Sequence, residues 1–146
     1  MRPYDYVDPL INTAKPKPRW VFFQSASRPF GMVQLLPDTD TEGTWGVGSR
    51  YESPRIQCFS HIHQWQLSGI PVLPFSGEYN DEIKNGYKLN HDFEIANPGY
   101  HKVYLEECGI TAELTASRRV GMHRYTIHDG NAGILMDFKK SLGPSD

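Results

Sequence analysis

The stretch Ile110-Thr111-Ala112-Glu113-Leu114-Thr115-Ala116 alternates apolar and polar residues without a break. Successive side chains of a strand point to opposite faces, so a period of two predicts one face on a core and the other towards solvent. Residues 110, 112, 114 and 116 are expected inside and Glu113 outside. Working outward, an apolar-rich run over 100–105 precedes this strand across Glu106-Glu107-Cys108-Gly109, and a run over 120–127 follows across Ser117-Arg118. The turn Asp129-Gly130-Asn131-Ala132-Gly133 then leads into a strand over 134–138. Short turns between strands predict an antiparallel meander of four. The apolar phase shifts from Val120 and Met122 to Tyr125 and Ile127, which predicts a β-bulge near His123 or a strand covered on both faces.

Further towards the amino terminus, the run over 32–36 lies between Pro29-Phe30-Gly31 and Pro37-Asp38-Thr39 and reads as a short buried strand. The run over 56–63 reads as another, in which His61 and His63 stand two apart and share a face if the chain stays extended. Prolines 71 and 74 demote the run over 71–75 to a sheet edge, and Pro9 bends a short edge strand over 4–13. Residues 38–53 form a long polar loop with Trp45 and Tyr51 embedded. No segment keeps a helical period over ten residues, and no repeat appears. The fold class expected is all-β, an antiparallel β-sandwich over residues 1–146 as one domain.

Composition narrows function. A chain of 146 residues with net charge −2 and no basic cluster beyond Arg118-Arg119 offers no field for phosphate backbones, so nucleic acid is not expected as a partner. Apolar runs of about five residues are far short of the roughly 20 a membrane helix needs, and the first residues carry no apolar signal segment. Cys58 and Cys108 are expected as free thiols. Serine-hydrolase, P-loop and dinucleotide signatures are absent. The acids sit in turns or on strand faces and none forms an evident catalytic pair. Asp38-x-Asp40-x-Glu42 lacks the glycine and distal glutamate of an EF-hand and reads as a solvated turn. His61 and His63 lack a third ligand at an accepted spacing, so no metal is assigned to them.

Several ordered segments carry a resemblance: Tyr6-Val7-Asp8-Pro9-Leu10-Ile11-Asn12-Thr13, Phe30-Gly31-Met32-Val33-Gln34 with Pro37-Asp38-Thr39, Phe59-Ser60-His61-Ile62-His63, Asn97-Pro98-Gly99-Tyr100, and Ala112-Glu113-Leu114-Thr115-Ala116 running into Arg119-Val120-Gly121-Met122-His123-Arg124-Tyr125. Together they resemble the amino-terminal β-sandwich of the family 92 glycoside hydrolases, exo-acting α-mannosidases. The resemblance implies a calcium-dependent inverting α-1,2-mannosidase whose acid, base and calcium ligands come mainly from a following helical (α/α) barrel. This chain is then expected to hold no cofactor and no activity of its own, to dock to that barrel, and to form one wall of the sugar site. Trp45, Arg50, His61 and His63 are the substrate-binding residues so implied, with an α-mannoside as ligand. Two segments depart from the family pattern: its glycine-rich loop is replaced over residues 15–23, and its "SGTG" over 65–70. The family is commonly exported, but the sequence itself leaves the compartment open. The alternative reading is a non-catalytic carbohydrate-binding or structural β-sandwich.

Overall fold

The computed structural model describes residues 2–11, 13–14, 25–41, 48–63, 67–140 and 142. Its strands are β1 Ala26–Ser27, β2 Gln34–Asp38, β3 Arg55–Ile56, β4 Cys58–Ser60, β5 Ile62–His63, β6 Leu67–Ser68, β7 Val72–Ser76, β8 Tyr87–Lys88, β9 Glu94–Asn97, β10 Tyr100–Leu105, β11 Ile110–Ala116, β12 Gly121–Ile127 and β13 Ala132–Met136. One antiparallel sheet has the order β12-β11-β10-β9 and a second the order β1-β2-β4-β7-β13. Between them Leu35, Phe59 and Leu73 of the second sheet meet Val103, Leu105, Ile110, Ala112 and Leu114 of the first. The all-β sandwich expected from the alternation is what forms.

β11 behaves as its pattern dictates at residues 110, 112 and 114, which are buried, while Ala116 at the sheet end is half-buried. Glu113 departs from expectation. It is half-buried because Arg124 of β12 donates to both of its oxygens, at 2.7 and 2.6 Å, and the Tyr100 hydroxyl of β10 donates at 2.6 Å. The Arg124 hydrogen bonds, followed by that of Tyr100, pull its pKa down to about 2. No bulge interrupts β12, whose register with β11 runs unbroken from Ala116↔Gly121 to Ile110↔Ile127. Gly121, His123 and Tyr125 are its half-buried positions, and the apolar shift arises because Val120 and Met122 are exposed.

The meander is also differently composed. β9 completes the first sheet, joined to β10 by a turn at Gly99 with φ 82°. β13 instead crosses over and pairs with β7, where Gly133 faces Phe75. The fit explains the choice: a Cβ on Gly133 would lie 2.4 Å from the Phe75 ring, so glycine lets the aromatic cover the backbone.

Two prolines stand inside strands. Gln34 N–H donates to the His61 carbonyl, and the Asp38 carbonyl accepts from Gln57. Even positions of β2 therefore face β4, and Pro37 turns its nitrogen towards the β1 side, where pairing among the described residues ends at Leu35. Pro74 likewise faces β4 beyond Val72, their one paired position. β7 is thus not an edge, although prolines predicted one; each ring occupies a side where no N–H is required. The strand expected over 32–36 lies at 34–38. The one expected over 56–63 is broken at Gln57 and at His61 into β3, β4 and β5. The edge strand expected over 4–13 is replaced by a 3-10 turn, Pro3–Tyr6, closed by the Asp5 carboxylate accepting from Arg2 N–H at 2.7 Å. No described helix is long and apolar enough to cross a membrane.

Ile110, fully buried between the sheets, should cost about 2–5 kcal/mol on replacement by alanine, as large-to-small core changes do. Exposed Ile127 should cost no more than about 0.5 kcal/mol. Urea unfolding of both variants measures the difference.

Candidate functional site

His61 occupies the bend between β4 and β5, and its ring leans on Gly121 at the start of β12. Its Nε2 lies 2.9 Å from Nε2 of His123, whose Nδ1 is 2.8 Å from the Tyr125 hydroxyl. Phe59 meets the His123 ring edge-on, with centroids 6.2 Å apart. Burial, then the neighbouring His61, lowers the pKa of His123 to about 4. Burial and the nearby His63 lower His61 as well. The two half-buried imidazoles are neutral at ordinary pH and share one Nε2 proton.

Met32 N–H donates to the Arg118 carbonyl, and Val33 approaches Gly121, so residues 30–33 lie against the turn that begins β12. Phe30 (97% exposed), Met32 and Val120 stand out at this junction, while Met122, next to His123 in β12, is exposed on the opposite face of the sheet. Phe30 also has φ 59°, a left-handed backbone that is uncommon outside glycine; no other described non-glycine residue has positive φ. A strained residue presenting a fully exposed phenyl is an arrangement that functional surfaces hold.

The other expected site residues are placed elsewhere. His63 is enclosed: Nδ1 meets the Gln34 carbonyl, Nε2 meets Asp38, and Ser60 Oγ lies 3.4 Å away. Burial opposes its charge, but the Asp38 carboxylate prevails and its pKa is raised. Cys58, 3.5 Å from the same carboxylate, is pushed up by burial and then by Asp38, so its thiol stays protonated and inert. Arg50 pairs with Asp40 at 3.1 Å, and its N–H donates to Thr39 Oγ1. It therefore sits at the end of β2 opposite His61, roughly 16 Å away along five residues of strand. Trp45 lies outside the described residues, as do most of the two segments that depart from the family pattern. The structure joins His61 to His123, not to Arg50.

A second histidine network was not read from the sequence. Ser25 Oγ is 2.6 Å from Nδ1 of His101, and His101 Nε2 lies 3.1 Å from Glu94 Oε1 without hydrogen-bond geometry. Glu94 also meets His91, which stacks on Tyr51 with centroids 4.0 Å apart. Burial raises the Glu94 carboxyl, but the two histidines outweigh it and hold its pKa low. The order serine–histidine–carboxylate imitates a nucleophilic triad, but Ser25 is wholly enclosed and no substrate reaches it. Among the described residues there is no group of three or more His, Cys, Asp or Glu that could hold a metal ion.

An all-β sandwich with imidazoles and an apolar patch at one end defines a class of modules, and the comparisons place it. The chain matches the glycosyl hydrolase family 92 N-terminal domain over residues 6–146 and belongs to that family. It is similar to the family GH92 α-mannosidase BT3965 from Bacteroides thetaiotaomicron, at 29% identity and TM-score 0.75, covering 92% of this chain and 20% of that one. The complex of that enzyme with mannoimidazole gives 28% identity and TM-score 0.76, over 96% of this chain and 20% of that one. The family GH92 inverting mannosidase BT2199 from Bacteroides thetaiotaomicron VPI-5482, at 19% identity and TM-score 0.73, covers 92% of this chain and 19% of its own, and bears on the fold alone. The chain spans about a fifth of the length of these proteins. No curated protein matches it.

The histidines make stability depend on pH in opposite senses. His123 has a lowered pKa, so as pH falls from 6.5 towards 4 the unfolded chain takes up a proton that the folded chain refuses, and stability drops. His63 has a raised pKa; its contribution is complete below 6.5 and is lost as pH rises through its folded value. Replacing His123 by asparagine should flatten the acid-side fall. Urea midpoints of both proteins between about pH 7 and pH 4 give the comparison.

Proposed function

We propose that this chain is the amino-terminal module of an α-mannosidase-like glycoside hydrolase, docking to a separate catalytic domain and forming one wall of the sugar site with it. The observation that carries this reading is the half-buried His61–His123 pair beside the junction of residues 30–33 with the turn before β12, where Phe30, Met32 and Val120 are exposed. An exposed apolar patch beside the pair suits a partner domain, and the neutral imidazole offers a donor or an acceptor to a sugar hydroxyl. The family match over residues 6–146, and relatives about five times longer, support the same assignment.

In this reading His61 contacts the sugar, with His123 and Tyr125 fixing its tautomer. His63 braces the bend that presents it. Arg50 and Trp45 enter as contacts to a more distant part of the glycoside. The acid, the base and the calcium belong to the docking domain. No described pair of carboxyl groups stands out as flanking a glycosidic bond, as inversion of configuration requires. The enclosure of His63 and the placement of Arg50 favour a second reading, a structural sandwich without a sugar contact.

The chain alone should not hydrolyse an α-mannoside, with or without calcium; turnover that co-purifies with it would refute the assignment of the chemistry to another domain. Joined to a family 92 catalytic domain, His61→Ala should lower kcat/KM about tenfold, the loss of a hydrogen bond worth about 1.4 kcal/mol. Phe30→Asp should weaken association of the two domains supplied separately. If Phe30→Asp acts and His61→Ala does not, the structural reading stands.

A further inference from the structure

Two turns from different sheets meet beside β12. The turn over residues 28–31 is closed by Gly31 N–H donating to the Arg28 carbonyl at 2.8 Å. A Cβ on Gly31 would stand 2.9 Å from that oxygen, so the turn closes this tightly because its last residue has no side chain. The turn over 117–120 is closed by Ser117 N–H donating to the Val120 carbonyl at 2.8 Å, while Ser117 Oγ accepts from Val120 N–H at 3.1 Å. Met32 N–H donates to the Arg118 carbonyl at 2.8 Å and locks one turn to the other. The junction is therefore built before any partner arrives.

Folding gathers charge here as well as apolar surface. Arg28, Arg118 and Arg119 are exposed on these two turns, beside the exposed Phe30, Met32 and Val120. Among the described residues the ion-paired arginines are Arg2, Arg50, Arg55 and Arg124, so these three have no acid of the chain as partner. No Asp or Glu occurs over residues 25–37 or 114–128. A chain of net charge −2 thus carries a locally positive face around an apolar centre.

We propose, resting on the two-domain reading above, that this face docks a protein surface on which acidic side chains surround an apolar socket. Phe30 fills the socket, and Arg28, Arg118 and Arg119 pair with the carboxylates at its margin. The number of charges decides against the other polyanions. Lipid-binding clusters carry about 4–8 basic residues, and a protein held on a nucleic-acid backbone commonly makes about 6–10 phosphate contacts; three arginines are too few for either. The type of charge points the same way. No lysine occurs over 25–36 or 114–128, and a guanidinium is weakly hydrated and meets a carboxylate with two parallel bonds, which suits a surface that loses water on docking. A phenyl on a fixed backbone with arginines at its margin has the composition of an interface anchor and its rim. Because both turns are already hydrogen-bonded, docking does not incur the ordering cost of a mobile loop.

Surface plasmon resonance of the whole chain over an immobilised family 92 catalytic domain, at low and high salt, tests this. Arg118→Gln combined with Arg119→Gln should slow association about tenfold at low salt and flatten its salt dependence, with dissociation little changed, since charges at an interface margin act on encounter. Phe30→Ala should instead speed dissociation about tenfold, as loss of a central anchor does. Lys88→Gln removes a charge at the far end of β11, where Lys88 N–H donates to Glu107, and should leave both rates unchanged. All four side chains are exposed, so the variants keep the fold. Binding that ignores salt and the arginine change but weakens in Phe30→Ala overturns the acidic partner and leaves the docking reading standing; no binding by the unmutated chain overturns both. Phosphatidylserine vesicles supply the last comparison. Retention of the chain on them, lost in the arginine variant, assigns the face to a membrane and overturns the proposal.

Discussion

A carboxylate with no solvent exposure cannot remain charged without a partner, and Asp38 at the end of β2 is one. His63 is its partner, and the pairing does more than satisfy a charge. The same imidazole reaches the Gln34 carbonyl at the start of β2 with its other nitrogen. One ring thus spans both ends of β2 and fixes β5 against it. Replacing either partner leaves a buried group unsatisfied, the costly way to break such a pair. With His63 committed inward, the bend at residue 61 sends the preceding histidine the other way, towards β12. The half-exposed His61–His123 pair is therefore downstream of a wholly buried contact.

Sandwich geometry supplies the other half of the site. Residues 30–33 and the turn 117–120 belong to different sheets, yet Met32 N–H reaches the Arg118 carbonyl and Gly31 lies close under the same turn. That junction carries Phe30 into its left-handed conformation and lifts it into solvent. Gly121 then serves both sides at once: as a strand residue it pairs with Ala116, and as a residue without a side chain it leaves the space His61 fills. An alanine there would keep the strand and displace the imidazole.

What the sequence conveys, and what it withholds, follows from the range of each interaction. The alternation from Ile110 to Ala116 is local, and the faces it predicts at 110, 112 and 114 are those observed. Alternation reports which face a residue takes but not which strand lies beside it, so the transfer of β13 to the other sheet was hidden until Gly133 and Phe75 were seen to fit together. Prolines 37 and 74 misled for a related reason: a missing donor matters only on a paired side, and pairing is non-local. His123 carried no signal of its own because its partner lies 62 positions away. The two-residue spacing of His61 and His63 suggested a shared face, which holds only in extended chain. The structure bends at the first of them.

The His61–His123 pair also limits what can occupy it. A sugar hydroxyl can give or take a proton, so it is compatible with either tautomer of His61. Binding there depends on pH, because protonating either ring disrupts the pair. Burial lowers the pKa of both rings and so keeps the pair neutral at ordinary pH. The depth of the site, set by Phe59 and the inward side of β12, therefore governs its chemistry as much as the histidines themselves do.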